Sequence, residues 1–510
     1  MSAERKFSVT ILTKNSGTKI RQCLNALARF DEVIVLDNGS TDDTLSVAAE
    51  FPNVKICKSD FIGFGPLKNL AASYAKNDWI VSVDSDEIVT PELAESILSS
   101  GLRPKQIGEV RRINHYAGKI VNACGWQNDL SRRVYNRNHT RFGDELVHES
   151  LKGEEAAVVR LKGELRHFPF DGAADLISKM QLYSTLFAEA NRHRRRSSPA
   201  KAVVKGCTTF IRDHFLKRGI FYGGAGLAIS SSNAAGAFYK YLKLYEANKR
   251  LSTSLVITTY NRKDVLSVVL SSVLSQSELP DEVIIADDGS GEDTREMIEA
   301  FRQKFPIPLI HCWHDDNGFR GAAIRNKAIA ASSGEYTILI DGDMLLHKDF
   351  VKGHKLAAVK GWFLQGSRVW LAPKDVDAIV RSADPADLPP IFNLGNPLNS
   401  LSSRFLSRWF SRPADHLTGT KSCNMSFWRE DCFRVNGFNE EFTGWGREDS
   451  EFAARLMNSG VRRRNLRFGG VAYHLSHPQE SRAELSQNEN LLQKTIDDRL
   501  IYCRNGLVKE

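Results

Sequence analysis

Residues 32–40 read EVIVLDNGS, and residues 282–290 read EVIIADDGS. Each is a short, continuous apolar run rich in β-branched residues, closed by an acid and a Gly-Ser turn, which is the pattern of a strand buried on both faces. Outward from this pair the chain keeps repeating itself. Residues 8–15 (SVTILTKN) match 254–261 (SLVITTYN), Lys68-Asn69 matches Arg325-Asn326, and DSDE at 84–87 matches DGDM at 341–344. The order is preserved while the offset drifts from 246 (254 − 8) to 257 (341 − 84), as loop insertions require. A period this long excludes a solenoid and implies two copies of one domain.

In each copy a first strand (Val9–Leu12; Leu255–Ile257) leads through a helical stretch to the second (Val33–Leu36; Val283–Ala286) and then to a third (Trp79–Val83; Tyr336–Ile340). Apolar strands alternating with helices predict an α/β fold, with tandem Rossmann-like, mostly parallel sheets. The expected division is a domain over 1–170, a helical, basic amphipathic segment over 171–248, and a second domain with a C-terminal helical tail over 249–510. A length of 510 residues agrees with two to four domains.

Composition excludes several classes. At 42% hydrophobic and 25% charged residues the chain is globular rather than disordered or collagenous. No run of 18 apolar residues predicts a spanning helix, and the start MSAERKFSVTILT lacks a secretory h-region. Eight irregularly spaced cysteines fit free thiols in a reducing compartment. Neither first strand is followed by GxGxxG, which disfavours a dinucleotide-dependent dehydrogenase.

The acidic residues fall at the carboxyl ends of the predicted strands, where ligands bind in parallel sheets. Asp37 and Asp287 can accept hydrogen bonds from a nucleoside; the plain alternative for either is a turn residue or helix N-cap. Asp84-Ser-Asp86 and Asp341-Gly-Asp343 can converge on one divalent cation, and hard oxygen ligands suit Mg²⁺ or Mn²⁺. Each stands 16 residues beyond a cation, Lys68 or Arg325 (84 − 68; 341 − 325), that can face a diphosphate. In the second copy, Gly444-Trp445-Gly-Arg447-Glu448-Asp449 offers a flat ring for a sugar and two adjacent carboxylates for acceptor binding and proton removal. Beyond it, His474 and His477 are alternatives for a further metal ligand.

Both halves resemble family 2 glycosyltransferases of the GT-A fold, which are metal-dependent, inverting and use nucleotide-sugar donors. The N-terminal half is similar to lipopolysaccharide core β-1,4-glucosyltransferases in Thr13-Lys-Asn15, Asp37-Asn-Gly-Ser, Phe64–Asn69, Asp84–Glu87 and Val147-His-Glu149. The C-terminal half is similar to chondroitin-polymerase and β-1,4-galactosyltransferase domains in Thr418–Phe427, Gly437–Phe442 and Gly444–Glu451. The resemblance implies donor binding by Thr13, Asn15, Asp37, Lys68 and Asp84, and in the second copy by Thr259, Asn261, Asp287, Arg325, Asp341 and Trp445. It implies Asp86, Asp343 and His474 or His477 as metal ligands. Asp449 becomes the second copy's base, with Glu448 on the acceptor. The first copy lacks the Glu-Asp motif, and Asp144, Glu145 and Glu149 remain its candidates, Glu149 foremost as a site residue and Asp144 next as base. Arg447 stands where galactosyltransferases commonly carry Gly.

The implied function is two-step glycosyl transfer from UDP-sugars, with UDP-glucose for the first copy and a UDP-hexose such as galactose or N-acetylhexosamine for the second. The implied acceptor is a lipid-linked bacterial saccharide such as the lipopolysaccharide core. The alternatives are a capsule polymerase alternating two sugars, and one active copy fused to a silent glycan-binding one. Between Arg192 and Arg218 nine Lys/Arg face one acid, Asp213, so 9 − 1 equals the whole chain's +8. With interleaved apolar residues, this segment predicts contact with an anionic inner-membrane surface and a cytoplasmic, peripheral location. No nucleic-acid-binding module accompanies the charge.

Overall fold

The computed structural model describes residues 5–143, 150–152, 157–390, 394–476 and 484–509. The chain divides into two compact units: residues 1–190 with 197–245, and residues 191–196 with 246–510.

In the first unit, four parallel strands lie in the order Val54–Lys58, Glu32–Asp37, Phe7–Thr13, Trp79–Asp84. Leu130–Asn136 continues the sheet antiparallel, followed by Gln106–Tyr116 and the long strand Ala157–Phe170, whose far edge carries Glu87–Val89. The second unit repeats the order: Leu309–Trp313, Glu282–Asp287, Thr253–Thr259 and Tyr336–Asp341 parallel, then Asn424–Trp428, Trp362–Gly366 and Arg462–Leu466. Here the far edge has separated into a small sheet of Met344–Leu346, Ala472–His474 and Arg368–Trp370. The mostly parallel α/β architecture expected from the repeat is therefore present twice.

The apolar runs supply both faces of each sheet. Leu255, Ile257, Val283, Ile285, Ile338 and Ile340 enter one core and Val256, Ile284 and Leu339 the other, all fully buried. Each such side chain contributes about 1.5–3 kcal/mol by leaving water. Register then fixes the acids. Thr13 pairs with Asp37 and Leu12 with Asp84; Thr259 pairs with Asp287 and Thr258 with Asp341. Adjacent strands end together, so acids far apart in sequence meet at one edge.

The intervening segment is helical: Ala173–Asn191, Pro199–Ile211 and Gly223–Lys249, with a π-turn at Arg212–Leu216 and a 3₁₀ turn at Gly219–Tyr222. Its basic residues fall in both units, 192–196 in the second and 201–218 in the first. Arg192 donates to both oxygens of Glu335 (3.0 and 2.8 Å) and to the Arg250 carbonyl. His193 is buried with its ring 5.1 Å from Trp428, and Asn248 holds the Arg195 carbonyl. Arg192 and His193 are thus held within the second unit, while the side chains of Arg194, Arg195 and Arg196 are exposed. Arg212 and Lys217 flank the buried Asp213 in the first unit.

Candidate active sites

In the second unit, the helix Gly321–Ala331 carries Arg325 in its buried face. Its guanidinium donates to Glu448 Oε1 (3.1 Å) and lies 3.6 Å from Asp341, so one cation joins the end of the third strand to the start of the helix Glu448–Asn458. Asp341 also accepts from the Thr258 hydroxyl at 2.9 Å. Beside Glu448, Asp449 accepts from the Ser422 amide at 3.2 Å. Burial, and then the charge of Glu448, push the Asp449 carboxyl up to about 7, against the pull of Arg325. Arg447 introduces this helix in the left-handed region (φ 78°), flanked by Gly444 and Gly446 at positive φ, and its side chain reaches Glu489 at 2.6 Å. Trp445 is 41% exposed beside these glycines.

Asp343 lies 3.4 Å from His474 Nε2 and 3.9 Å from Arg262. His474 is placed by strand pairing: it stands opposite Met344, and the Leu475 amide donates to the Asp343 carbonyl at 2.9 Å.

The first unit reproduces this arrangement with a residue that sequence reading missed. His167 stands opposite Glu87, the Phe168 amide donates to the Asp86 carbonyl at 2.9 Å, and His167 Nε2 lies 3.5 Å from Asp86. His167 is therefore the positional equivalent of His474. A signal existed, a histidine in the strand-like run LRHFPF at 165–170, but the intervening loops differ so much in length between copies that spacing alone hid the match. Asn114 occupies the neighbouring strand position, where the second copy has Trp370. Its amide donates to Asp129 Oδ2 (2.8 Å), leaving its oxygen to accept from His167 Nδ1 (2.6 Å). With Nδ1 held on Asn114, Nε2 is the ring nitrogen turned toward Asp86.

Lys68 lies 3.3 Å from Asp84, matching Arg325 and Asp341, and Arg133 adds a second cation at 2.9 Å that also donates to Glu87. Burial opposes ionisation of Asp84, but Arg133 and Lys68 outweigh it and hold the carboxyl well below its usual range. Asp341, with one such cation, has its carboxyl raised by burial. The electrostatics of the two copies thus differ around one geometry.

Asn69 and Asn326 are paired clamps. Asn69 holds the Phe142 carbonyl and amide (3.0 and 2.9 Å), and Asn326 holds those of Phe438 (both 2.8 Å). The preceding cation sits over the same ring, Lys68 at 5.2 Å and Arg325 at 5.6 Å. Asp37 accepts from the Gly39 and Ser40 amides, and Asp287 from the Ser290 amide and His311, so both serve their own turns. Asn15 and Asn261, each at positive φ, take the Ser40 or Ser290 hydroxyl on the backbone amide and hold the Thr41 or Gly291 amide with the side-chain oxygen. Thr13 and Thr259 are buried beside them.

Asp144, Glu145, Glu149 and His477 lie outside the described residues. Among the described residues, no three of His, Cys, Asp and Glu gather closely enough to hold a metal alone. The Asp–His pair in each copy has the mixed oxygen and nitrogen donors that suit Mn²⁺, with diphosphate oxygens and water to complete the shell.

The pattern described as "Glycosyl transferase family 2" matches residues 8–121 and again 254–368, and "N-terminal domain of galactosyltransferase" matches residues 406–478. A chondroitin synthase of Pasteurella multocida is 26% identical over 286 residues, 53% of this chain and 29% of that protein. A chondroitin synthase of Escherichia coli is 27% identical over 49% of this chain and 38% of its own length. An uncharacterized glycosyltransferase of Rickettsia prowazekii is 25% identical over 50% of this chain and 92% of its own. The chain thus matches about a third of the length of the two synthases and nearly all of the third relative. Two matches in tandem, each covering one set of the strands and acidic motifs described above, show that this chain carries two stretches similar to family 2 glycosyl transferases.

Proposed function

We propose that the chain is a bifunctional, inverting, metal-dependent glycosyltransferase with one site per unit. The observation carrying this is the duplicated constellation: a DxD acid facing a strand-paired histidine, and a buried cation behind the first acid. In the second unit a carboxylate also titrates near neutrality.

In the second unit, Asp449 removes the proton from the acceptor hydroxyl. Ionised at and above its raised pKa, it is basic enough to accept that proton and available enough at neutral pH to act. The freed oxygen attacks the anomeric carbon from the face opposite the leaving nucleotide, so an α-linked donor yields a β-glycoside. Glu448 orients the acceptor while its pairing with Arg325 keeps that cation turned into the site. Arg325, and in the first unit Lys68 and Arg133, oppose the charge that develops on the departing diphosphate. Mn²⁺ or Mg²⁺ would be held by Asp86 and His167 in one copy and by Asp343 and His474, or His477 in its place, in the other, and would neutralise that diphosphate. Glu149, or else Asp144, serves as the first unit's base.

UDP-glucose is the proposed donor of the first unit and a UDP-hexose that of the second, with a lipid-linked saccharide as acceptor. Similarity to chondroitin synthases supports a second reading, a polymerase alternating two sugars. UDP release over a panel of UDP-sugars, with Asp86→Ala and Asp343→Ala inactivating each site in turn, tests both. Each variant should lose one linkage only, and a product ladder rather than one or two added sugars selects the polymerase. Release with no UDP-sugar, or both linkages surviving Asp343→Ala, overturns the proposal.

A further inference from the structure

The helix Pro199–Ile211 is built inside out. Its buried residues are Ala202 and Gly206, and a Cβ on Gly206 would come within 3.2 Å of the Phe238 Cβ and 3.4 Å of the Ala234 carbonyl. Small residues let it lie close on the helix Gly223–Lys249. Its large apolar residues face outward instead: Val203 and Val204 are more than half exposed, as is Ile211. An ordinary surface helix does the reverse.

The turns that follow extend the ridge. Phe215 is 52% exposed, Leu216 76%, Ile220 48% and Phe221 81%. They are not splayed out by slack chain. Gly219 is buried where a Cβ would meet Cys124 and Ser230 at 2.8 Å, and Gly226 sits against the Gly219 carbonyl. Arg218, at φ 63°, sets the reversal that holds Ile220 and Phe221 outward. A fixed apolar ridge on the surface of a folded unit marks a contact site.

Charge selects the occupant. Residues 199–222 contain five Lys/Arg (201, 205, 212, 217, 218) and one acid, Asp213, which is 1% exposed. The segment therefore presents only positive charge to solvent, threaded among the apolar side chains. The cores of protein–protein interfaces are depleted in lysine, whereas cations interleaved with apolar residues suit a bilayer surface, where long stems reach the headgroups. Among the described residues no helix is long and apolar enough to cross a membrane, so the contact is a lateral one.

We infer that the ridge Val203–Phe221 inserts into the interface of an anionic bilayer, with Phe215, Leu216 and Phe221 as the penetrating side chains. Arg192, forked onto Glu335 in the second unit, is not part of the ridge. This deepens the proposed use of a lipid-linked acceptor but rests on the ridge alone.

The test is co-sedimentation of the full chain with vesicles of phosphatidylglycerol and phosphatidylethanolamine, against phosphatidylcholine alone. Wild type should bind the anionic vesicles, more weakly at high salt, and the triple variant Phe215→Ser/Leu216→Ser/Phe221→Ser should bind at least about tenfold more weakly. Unchanged thermal melting and UDP release would show that the triple variant is folded. In a second measurement, Phe221→Trp should gain fluorescence quenched by brominated lipid, relative to wild type. Undiminished binding by the triple variant, an unquenched Trp, or a change confined to oligomeric state would each overturn the inference. The vesicles carry no glycan, so failure of the acceptor reading leaves this result standing.

Discussion

At one position in the two sheets, Asn114 hydrogen-bonds His167 while Trp370 packs its ring edge against His474, 4.8 Å between centroids. The first histidine ring is therefore oriented by a hydrogen-bond relay through Asp129, the second by packing against Trp370. Asn114→Leu should weaken Mn²⁺ binding at the first site by about 10–100-fold in the presence of UDP, read by electron paramagnetic resonance, and leave the second site unchanged. His167→Ala should do at least as much. Asp449 sets a different kind of signature. Its carboxyl must be ionised to accept a proton, and its pKa of about 7 means that fraction shrinks as pH falls. Transfer by the second site should plateau above about pH 7 and drop about tenfold per unit below it. Asp449→Asn should abolish that limb and cost about 10²–10⁴-fold in kcat. A pH profile with the first site silenced by Asp86→Ala measures both.

At the scale of elements, the asparagine after each buried cation ties a helix to the loop that follows it. Asn326 satisfies the amide and carbonyl of Phe438 and also meets Glu440 at 3.0 Å. Asn326→Leu leaves buried backbone groups without partners, at about 1–3 kcal/mol each, and should lower the melting temperature by several degrees and depress transfer by the second site. The sequence pattern disclosed these asparagines because they sit next to the cations in a fixed local spacing. The DxD acids were legible for the same reason, each directly following an apolar strand. His167 was not legible, since it reaches Asp86 only through pairing between strands 80 residues apart (167 − 87). The fate of Arg192 was equally hidden: charge counting cannot tell a solvated Arg192 from one forked onto Glu335. The outward ridge was visible as interleaved apolar and basic residues, but which face was buried depended on Gly206 meeting Phe238.

For the whole molecule, duplication supplies two sites whose losses should be separable. Asp86→Ala and Asp343→Ala should each remove one glycosidic linkage, and the double variant both, as resolved by mass spectrometry of the products. The copies also divide their buried charge differently. Glu87 is fully buried between Arg133 and Arg112, where the second copy has apolar Met344. Glu87→Met would take from the buried Arg133 one of its two carboxylate partners, leaving Asp84, and should destabilise the first unit by about 1–3 kcal/mol. Thermal unfolding followed with each site's UDP binding would assign that loss to one unit.

The first copy carries its histidine on Ala157–Phe170, one strand running through the main sheet, while the second carries it on the three residues Ala472–His474 of a separate sheet. In the first, any change around the histidine is transmitted into the ladder that supports the core. In the second, the small sheet with its Arg368–Trp370 strand is a detachable cartridge: it can be rewritten while the eight-stranded ladder keeps its register. Directed evolution of donor preference should therefore accumulate tolerated substitutions in the second copy's cartridge and few at the matching positions of the first.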